Sequence, residues 1–208
     1  MKNIFLHGLG QTSSSWKRTI PHIGEASNII CPDLFELLHG KEISYENLYH
    51  AFSEYCKSFS EPLNLCGLSL GGILALQYAI ENPSKVNSFV LIGTQYRMPK
   101  KLLTFQNMMF HILPKGMFEQ MGIEKKECIH LSKTMMDLNF EQKLNTITCP
   151  VLVVCGEKDK ANKKASIELK EQIPNGELVI IENAGHEVNE DAPEKLGEVI
   201  KSFFSKTI

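Results

Sequence analysis

Six short apolar runs recur along this chain, nearly all without polar alternation, and each leads into a turn carrying glycine or proline. They are Asn3 to Leu6, Asn28 to Cys31, Leu63 to Cys66, Ser88 to Ile92, Val151 to Cys155 and Glu177 to Ile181. A strand with one wet face alternates polar and apolar residues; strands that do not alternate need cover on both faces. Helical patterns fall between them, at about residues 12–24, 44–59, 70–81, 162–172 and 191–204. The second repeats Leu48, Phe52, Tyr55, Cys56 and Phe59 near the helical period. The third runs through Ile73, Leu74, Leu76 and Ala79 until Asn82-Pro83 stops it. This rhythm predicts an α/β protein, a doubly wound and mainly parallel sheet of about six strands with right-handed crossovers. In such sheets ligands gather beyond the carboxyl ends of the strands.

With 208 residues, 43% of them apolar, the chain is expected to form one domain over residues 1–208. Folding at this size buries roughly 70% of the unfolded surface, so no staple is required. Lys and Arg number 22 against 24 acids, for a charge of −2. That balance lacks the basic excess on which phosphate-backbone binding depends, and no nucleic-acid partner is expected. No apolar run suits a signal-peptide core or a membrane span. The six cysteines contain no Cys-x-x-Cys pair and several sit in apolar runs, so they are read as reduced thiols of a cytoplasmic protein with no metal site. One stretch, 95–148, carries no strand pattern but seven of the eight methionines, with Phe105, Phe110 and Phe118. It is expected to be a short helical cap over the active edge, its thioethers giving an adaptable apolar surface.

The chemistry concentrates at the strand ends. Gly67-Leu68-Ser69-Leu70-Gly71 is a Gly-x-Ser-x-Gly sequence between a strand pattern and a helix pattern. So sharp a turn strains its central residue and needs neighbours without side chains, and it lifts the Ser69 hydroxyl to a helix N-terminus. A serine hydroxyl attacks only when a base removes its proton. His186, after the last strand pattern and Ala184-Gly185, falls on the same edge. The imidazole in turn needs a carboxylate to fix its tautomer. Asp159 follows the run ending at Gly156 by a short loop, with Glu157 as the competing acid. For the developing oxyanion, the backbone N–H of Leu70 follows the nucleophile, and the His7-Gly8-Leu9-Gly10 turn offers that of Leu9. A dinucleotide loop at Gly8-x-Gly10 fails because Ser13 occupies the third glycine position.

These residues together resemble the α/β-hydrolase fold family over nearly the whole chain. The match comprises His7-Gly8-Leu9-Gly10 with Trp16, Gly67 to Gly71, Gly156-Glu157-Lys158-Asp159, and Ala184-Gly185-His186 with Pro193, in the family's order of nucleophile, acid and histidine. The resemblance implies Ser69 as nucleophile, His186 as general base and then acid, Asp159 as its partner, and Leu9 and Leu70 as the oxyanion hole. Two departures are expected to matter. The hairpin that commonly precedes the His-Gly turn is missing, which trims the sheet, and Leu34 to Gly40 replaces the usual turn after the second strand. The expected activity is hydrolysis of small carboxylic esters or thioesters through an acyl-enzyme, without a cofactor. Alternatives are a triad enzyme acting on carbon–carbon bonds or as a lyase or perhydrolase, and a non-catalytic ligand-binding module. Arg97, just past a strand end, is read as a surface cation, with pairing to a substrate carboxylate as the other reading. Oligomeric state is not readable.

Overall fold

The computed structural model describes residues 1–24, 28–100, 103–104, 108, 110, 112–114, 116, 118 and 123–206. Its six strands are β1 (Asn3–Leu6), β2 (Ile29–Ile30), β3 (Leu63–Leu68), β4 (Val86–Ile92), β5 (Val151–Gly156) and β6 (Gly176–Ile181). They form one sheet in the order β2-β1-β3-β4-β5-β6, and every neighbouring pair is parallel. Its helices include α1 (Ile20–Ile23), α2 (Tyr45–Lys57), α3 (Leu70–Glu81), α4 (Lys125–Thr134), α5 (Lys163–Gln172), α6 (Val188–Asp191) and α7 (Pro193–Ser205). Among the described residues no helix is long and apolar enough to cross a membrane.

Successive strand residues point to opposite faces, which explains why the interior runs show no polar alternation. Ile4, Leu6, Leu65, Phe89, Leu91, Val151 and Val153 pack into one core layer with Leu48 and Phe52 of α2, Leu74 and Tyr78 of α3, and Leu169 of α5. Phe5, Cys66, Leu68, Val90, Ile92, Leu152 and Val154 pack into the other, beneath Trp16, Ile23 of α1, and Leu196, Ile200, Phe203 and Phe204 of α7. Each large apolar side chain so buried contributes ~1.5–3 kcal/mol, so the α7 stripe alone is a substantial fastening. The edge strand β6 is only partly buried and carries the exposed Glu177, the polar position an edge tolerates.

Several boundaries differ from expectation. The helix expected over 12–24 divides into a 3-10 turn, Ser13–Trp16, capped by the Thr12 hydroxyl, and the short α1, which Pro21 opens and Gly24 closes. The helix expected at 191 starts at Pro193, because Pro favours the first helical position and Ala192 is non-helical. β2 shrinks to two residues, since only Asn3 and Ile4 of β1 offer it partners. Between β4 and β5 the chain leaves and returns at one place. An antiparallel bridge pairs Arg97 with Asn139, and Met98 N–H to Leu138 O (3.0 Å) and Phe140 N–H to Tyr96 O (2.8 Å) reinforce it. Met98 and Met135 of this excursion sit in the first core layer, whereas Met108 is exposed. Phe105, Met109, Met117 and Met121 lie outside the described residues.

Candidate active site

β3 runs straight into α3, and the joint residue Ser69 has φ 51° and ψ −111°, a conformation costly for any residue with a side chain. Two close approaches enforce it. A Cβ on Gly67 would lie 2.4 Å from the Gly71 carbonyl group, and one on Gly71 would lie 2.4 Å from the Leu6 carbonyl oxygen. Only glycine lets α3 fold back against its own strand and β1. The serine is tied sideways by its N–H to the Ile92 carbonyl at the end of β4, 2.8 Å away. Leu70 opens α3, where the first N–H groups lack intrahelical acceptors and the helix dipole favours negative charge.

The next residue of that neighbouring strand end links Ser69 to the imidazole. Gly93 has φ 55°, and a Cβ there would sit 2.9 Å from His186 Nδ1, 3.0 Å from Cε1 and 3.2 Å from Asp159 Oδ2. The Nδ1–Cε1 edge of the His186 ring therefore lies against Gly93, one residue from the Ser69 tether. His186 Nδ1 donates to Asp159 Oδ2 at 2.8 Å, which leaves the other ring nitrogen, Nε2, without a partner among the described residues. The Ser69 hydroxyl and Nε2 do not hydrogen-bond to each other here; such contacts commonly tighten only around bound substrate.

Asp159 is 6% exposed. Burial pushes its carboxyl upward, but hydrogen bonds from His186 and from the Asn162 amide outweigh that and hold it below the ordinary value. Asn162 Nδ2 lies 2.9 Å from each carboxylate oxygen, and the Asn162 Oδ1 accepts from Gln95 Nε2 at 2.8 Å. Glu157, the competing acid, does not reach the imidazole. Its carboxylate accepts the Asn183 N–H at 2.9 Å and so braces the turn that carries His186. Asp191 adds a second brace by accepting the Gly185 N–H at 2.6 Å.

The His7 to Gly10 turn follows β1 on the same edge. His7 is fully buried, donates from Nδ1 to the Gly8 carbonyl (3.0 Å) and accepts the Leu34 N–H at Nε2 (3.0 Å). The Gln11 N–H draws the same Gly8 carbonyl from 3.2 Å. Because the Gly8–Leu9 peptide is planar and trans, the Leu9 N–H points the opposite way. Gly8 itself borders Leu68, the residue before Ser69. Burial lowers the His7 pKa, opposed in part by its bond to Gly8 and by Asp33, so the ring is neutral as its two partners require. Arg97 is exposed and pairs with Glu141 at 3.0 Å.

Residues 4–199 match the model of the alpha/beta hydrolase family. The chain belongs to that family. Among curated relatives of this alpha/beta hydrolase is (E)-2-((N-methylformamido)methylene)succinate hydrolase of Acinetobacter baylyi, 21% identical, aligned over 98% of this chain and 90% of that protein. Another is the pimeloyl-[acyl-carrier protein] methyl ester esterase of Aeromonas hydrophila, 22% identical over 96% and 94%. Among solved structures, a thermophilic esterase from Thermogutta terrifontis superposes with a TM-score of 0.80 at 17% identity, covering 100% of this chain and 90% of that one. Sequence reasoning missed several contributors to this hydrolase's site, Asn162, Gly93 and His7 among them. Asn162 had a usable signal in its Asp-x-x-Asn spacing before α5, while Gly93 and the tethering role of His7 depend on neighbours distant in sequence.

Proposed function

We propose that this alpha/beta hydrolase cleaves small carboxylic esters or thioesters through an acyl-enzyme, with Ser69 as nucleophile. His186 takes the Ser69 proton at Nε2 as the hydroxyl oxygen attacks the carbonyl carbon. Asp159 holds the imidazole in the required tautomer and stabilises its protonated form. The N–H groups of Leu9 and Leu70 receive the oxyanion. The imidazolium then protonates the departing alkoxide or thiolate. Water, deprotonated by the same nitrogen, releases the acid and restores Ser69. The proton inventory closes on the imidazole, so the cycle calls for no metal or organic cofactor.

The observation that carries this reading is the 2.8 Å bond from His186 to a buried carboxylate, beside the strand end that tethers a strained serine. The segment 95–148 serves as a short cap, which the bridge of Arg97 to Asn139 at its base supports. An apolar acyl or alkyl portion is favoured, since Leu9 and Phe35 pack with Phe110, Phe118 and Ile123 of that segment. Six unpaired cysteines accord with a reducing cytoplasm. The test is exposure to a fluorophosphonate probe alongside hydrolysis of p-nitrophenyl butyrate. A covalent adduct on Ser69, with labelling and turnover both abolished in Ser69→Ala, is expected. Folded protein that neither labels nor turns over would instead indicate a binding module.

A further inference from the structure

The oxyanion turn follows β1 and the histidine turn follows β6, two strands separated in the sheet by β3, β4 and β5. No ladder of sheet hydrogen bonds joins β1 to β6 directly, yet acyl transfer needs their groups in fixed relation. A buried pair of carboxamides spans the gap. Gln11 Nε2 donates to Asn189 Oδ1 and Asn189 Nδ2 donates to Gln11 Oε1, both at 3.2 Å, between residues 178 apart in sequence. Gln11 is 6% exposed and Asn189 is fully buried.

Backbone groups at both ends fix which way each amide faces. Gln11 Oε1 also accepts the Gly8 N–H at 3.4 Å, and a donor there demands oxygen. Asn189 Nδ2 also donates to the Ser15 carbonyl at 3.2 Å, and an acceptor there demands nitrogen. The Thr19 hydroxyl holds the Asn189 carbonyl at 3.2 Å. Each carboxamide belongs to one of the two turns or the helix that follows it: Gln11 closes the turn that aims the Leu9 N–H, and Asn189 lies on α6, three residues after His186. The nearby link of Arg18 Nη1 to the Glu190 carbonyl is exposed to water and correspondingly weaker.

We infer that Gln11 and Asn189 are a positioning pair that sets the oxyanion turn in register with the His186 turn. This rests on the acyl-transfer reading above. The pair acts on the transition state, because only there do the oxyanion donors and the imidazole serve one substrate together. Gln11→Met and Asn189→Leu each leave a buried amide unmatched, and the double variant replaces both with apolar groups of similar shape. Such paired replacement removes the amide-to-amide mismatch of the single variants.

The measurements are the melting temperature and the turnover of p-nitrophenyl butyrate, with Ser69→Ala in parallel. Each single variant is expected to lower kcat and kcat/KM together by about 10- to 100-fold at nearly constant KM. In the double variant the melting temperature recovers in part, because the Gly8 N–H and the Ser15 carbonyl stay unmatched, and kcat does not recover. Where a single variant fails to fold, the double variant decides. Wild-type kcat in the folded double variant, or kcat that rises and falls with melting temperature, would overturn the inference. Turnover persisting in Ser69→Ala would instead defeat the acyl-transfer reading, a separate and recognisable failure.

Discussion

Gly93 offers the sharpest check on where the imidazole lies. In Gly93→Ala the new methyl would stand 2.9 Å from His186 Nδ1, 3.0 Å from Cε1 and 3.2 Å from Asp159 Oδ2. Ordinary heavy-atom contact begins at about 3.5 Å, so the ring must retreat by roughly 0.6 Å and the carboxylate by roughly 0.3 Å. With His186 in its proposed role, a displacement of that order costs ~10- to 100-fold in kcat. The backbone adds its own penalty, because an alanine at φ 55° is left-handed. That conformation costs about 1–2 kcal/mol. At this chain length the penalty lowers the melting temperature by about 2–8 °C. Gly40→Ala separates the two effects, since Gly40 has φ 82° and a methyl placed there would meet nothing within 4 Å. Thermal melts of both variants, with kcat and KM on p-nitrophenyl butyrate, make the comparison. Both should melt earlier and only Gly93→Ala should lose turnover. A folded Gly93→Ala enzyme with wild-type kcat, or equal kcat losses in both, refutes the placement of His186 against Gly93.

Two further predictions concern protons. Asn162→Ala removes the amide that lies 2.9 Å from both Asp159 oxygens and leaves burial less opposed, so the carboxyl rises. A depressed carboxyl stabilises the fold above its unfolded value of 3.8 and loses that contribution as pH falls through the lower folded value. The variant should therefore acid-unfold at higher pH, with a loss at neutral pH of about 1.5–3 kcal/mol for a hydrogen bond to a charge; an unmoved acid midpoint by circular dichroism contradicts this. His7 works in the opposite range. Its folded pKa lies below the unfolded 6.5, so its contribution is full above 6.5 and drains away as pH falls below it, where the unfolded chain binds the proton first. In His7→Gln an uncharged oxygen can still accept the Leu34 N–H, so the urea midpoint should fall less between pH 7.5 and 5.5 than in the wild type, and parallel slopes would exclude His7 as the source.

What could be read from the sequence divides along a physical line. The interior strands were legible because burial on both faces leaves an unbroken apolar run, as in Val151 to Val154, none more than 1% exposed. The Ser69 turn was legible because its demand is local: Gly67 and Gly71 must lack side chains wherever such a chain occurs. His186 and Asp159 followed by chemistry, one needing the other, and the 2.8 Å bond joins them. Residues whose partners lie far along the chain gave no such signal. Asp191 reads as the start of a helix, yet its carboxylate accepts the Gly185 N–H and braces the histidine turn. Ser15 and Thr19 read as members of one helix over 12–24, yet the segment breaks, and a Ser15 carbonyl and a Thr19 hydroxyl meet Asn189. A carboxamide or a short hydroxyl has no periodicity of its own, and its worth depends on a partner supplied by folding. The groups that perform the proposed chemistry thus announce themselves by type and spacing. Those that hold them in register become visible only when strand order brings the ends of β1, β3, β4, β5 and β6 to one edge.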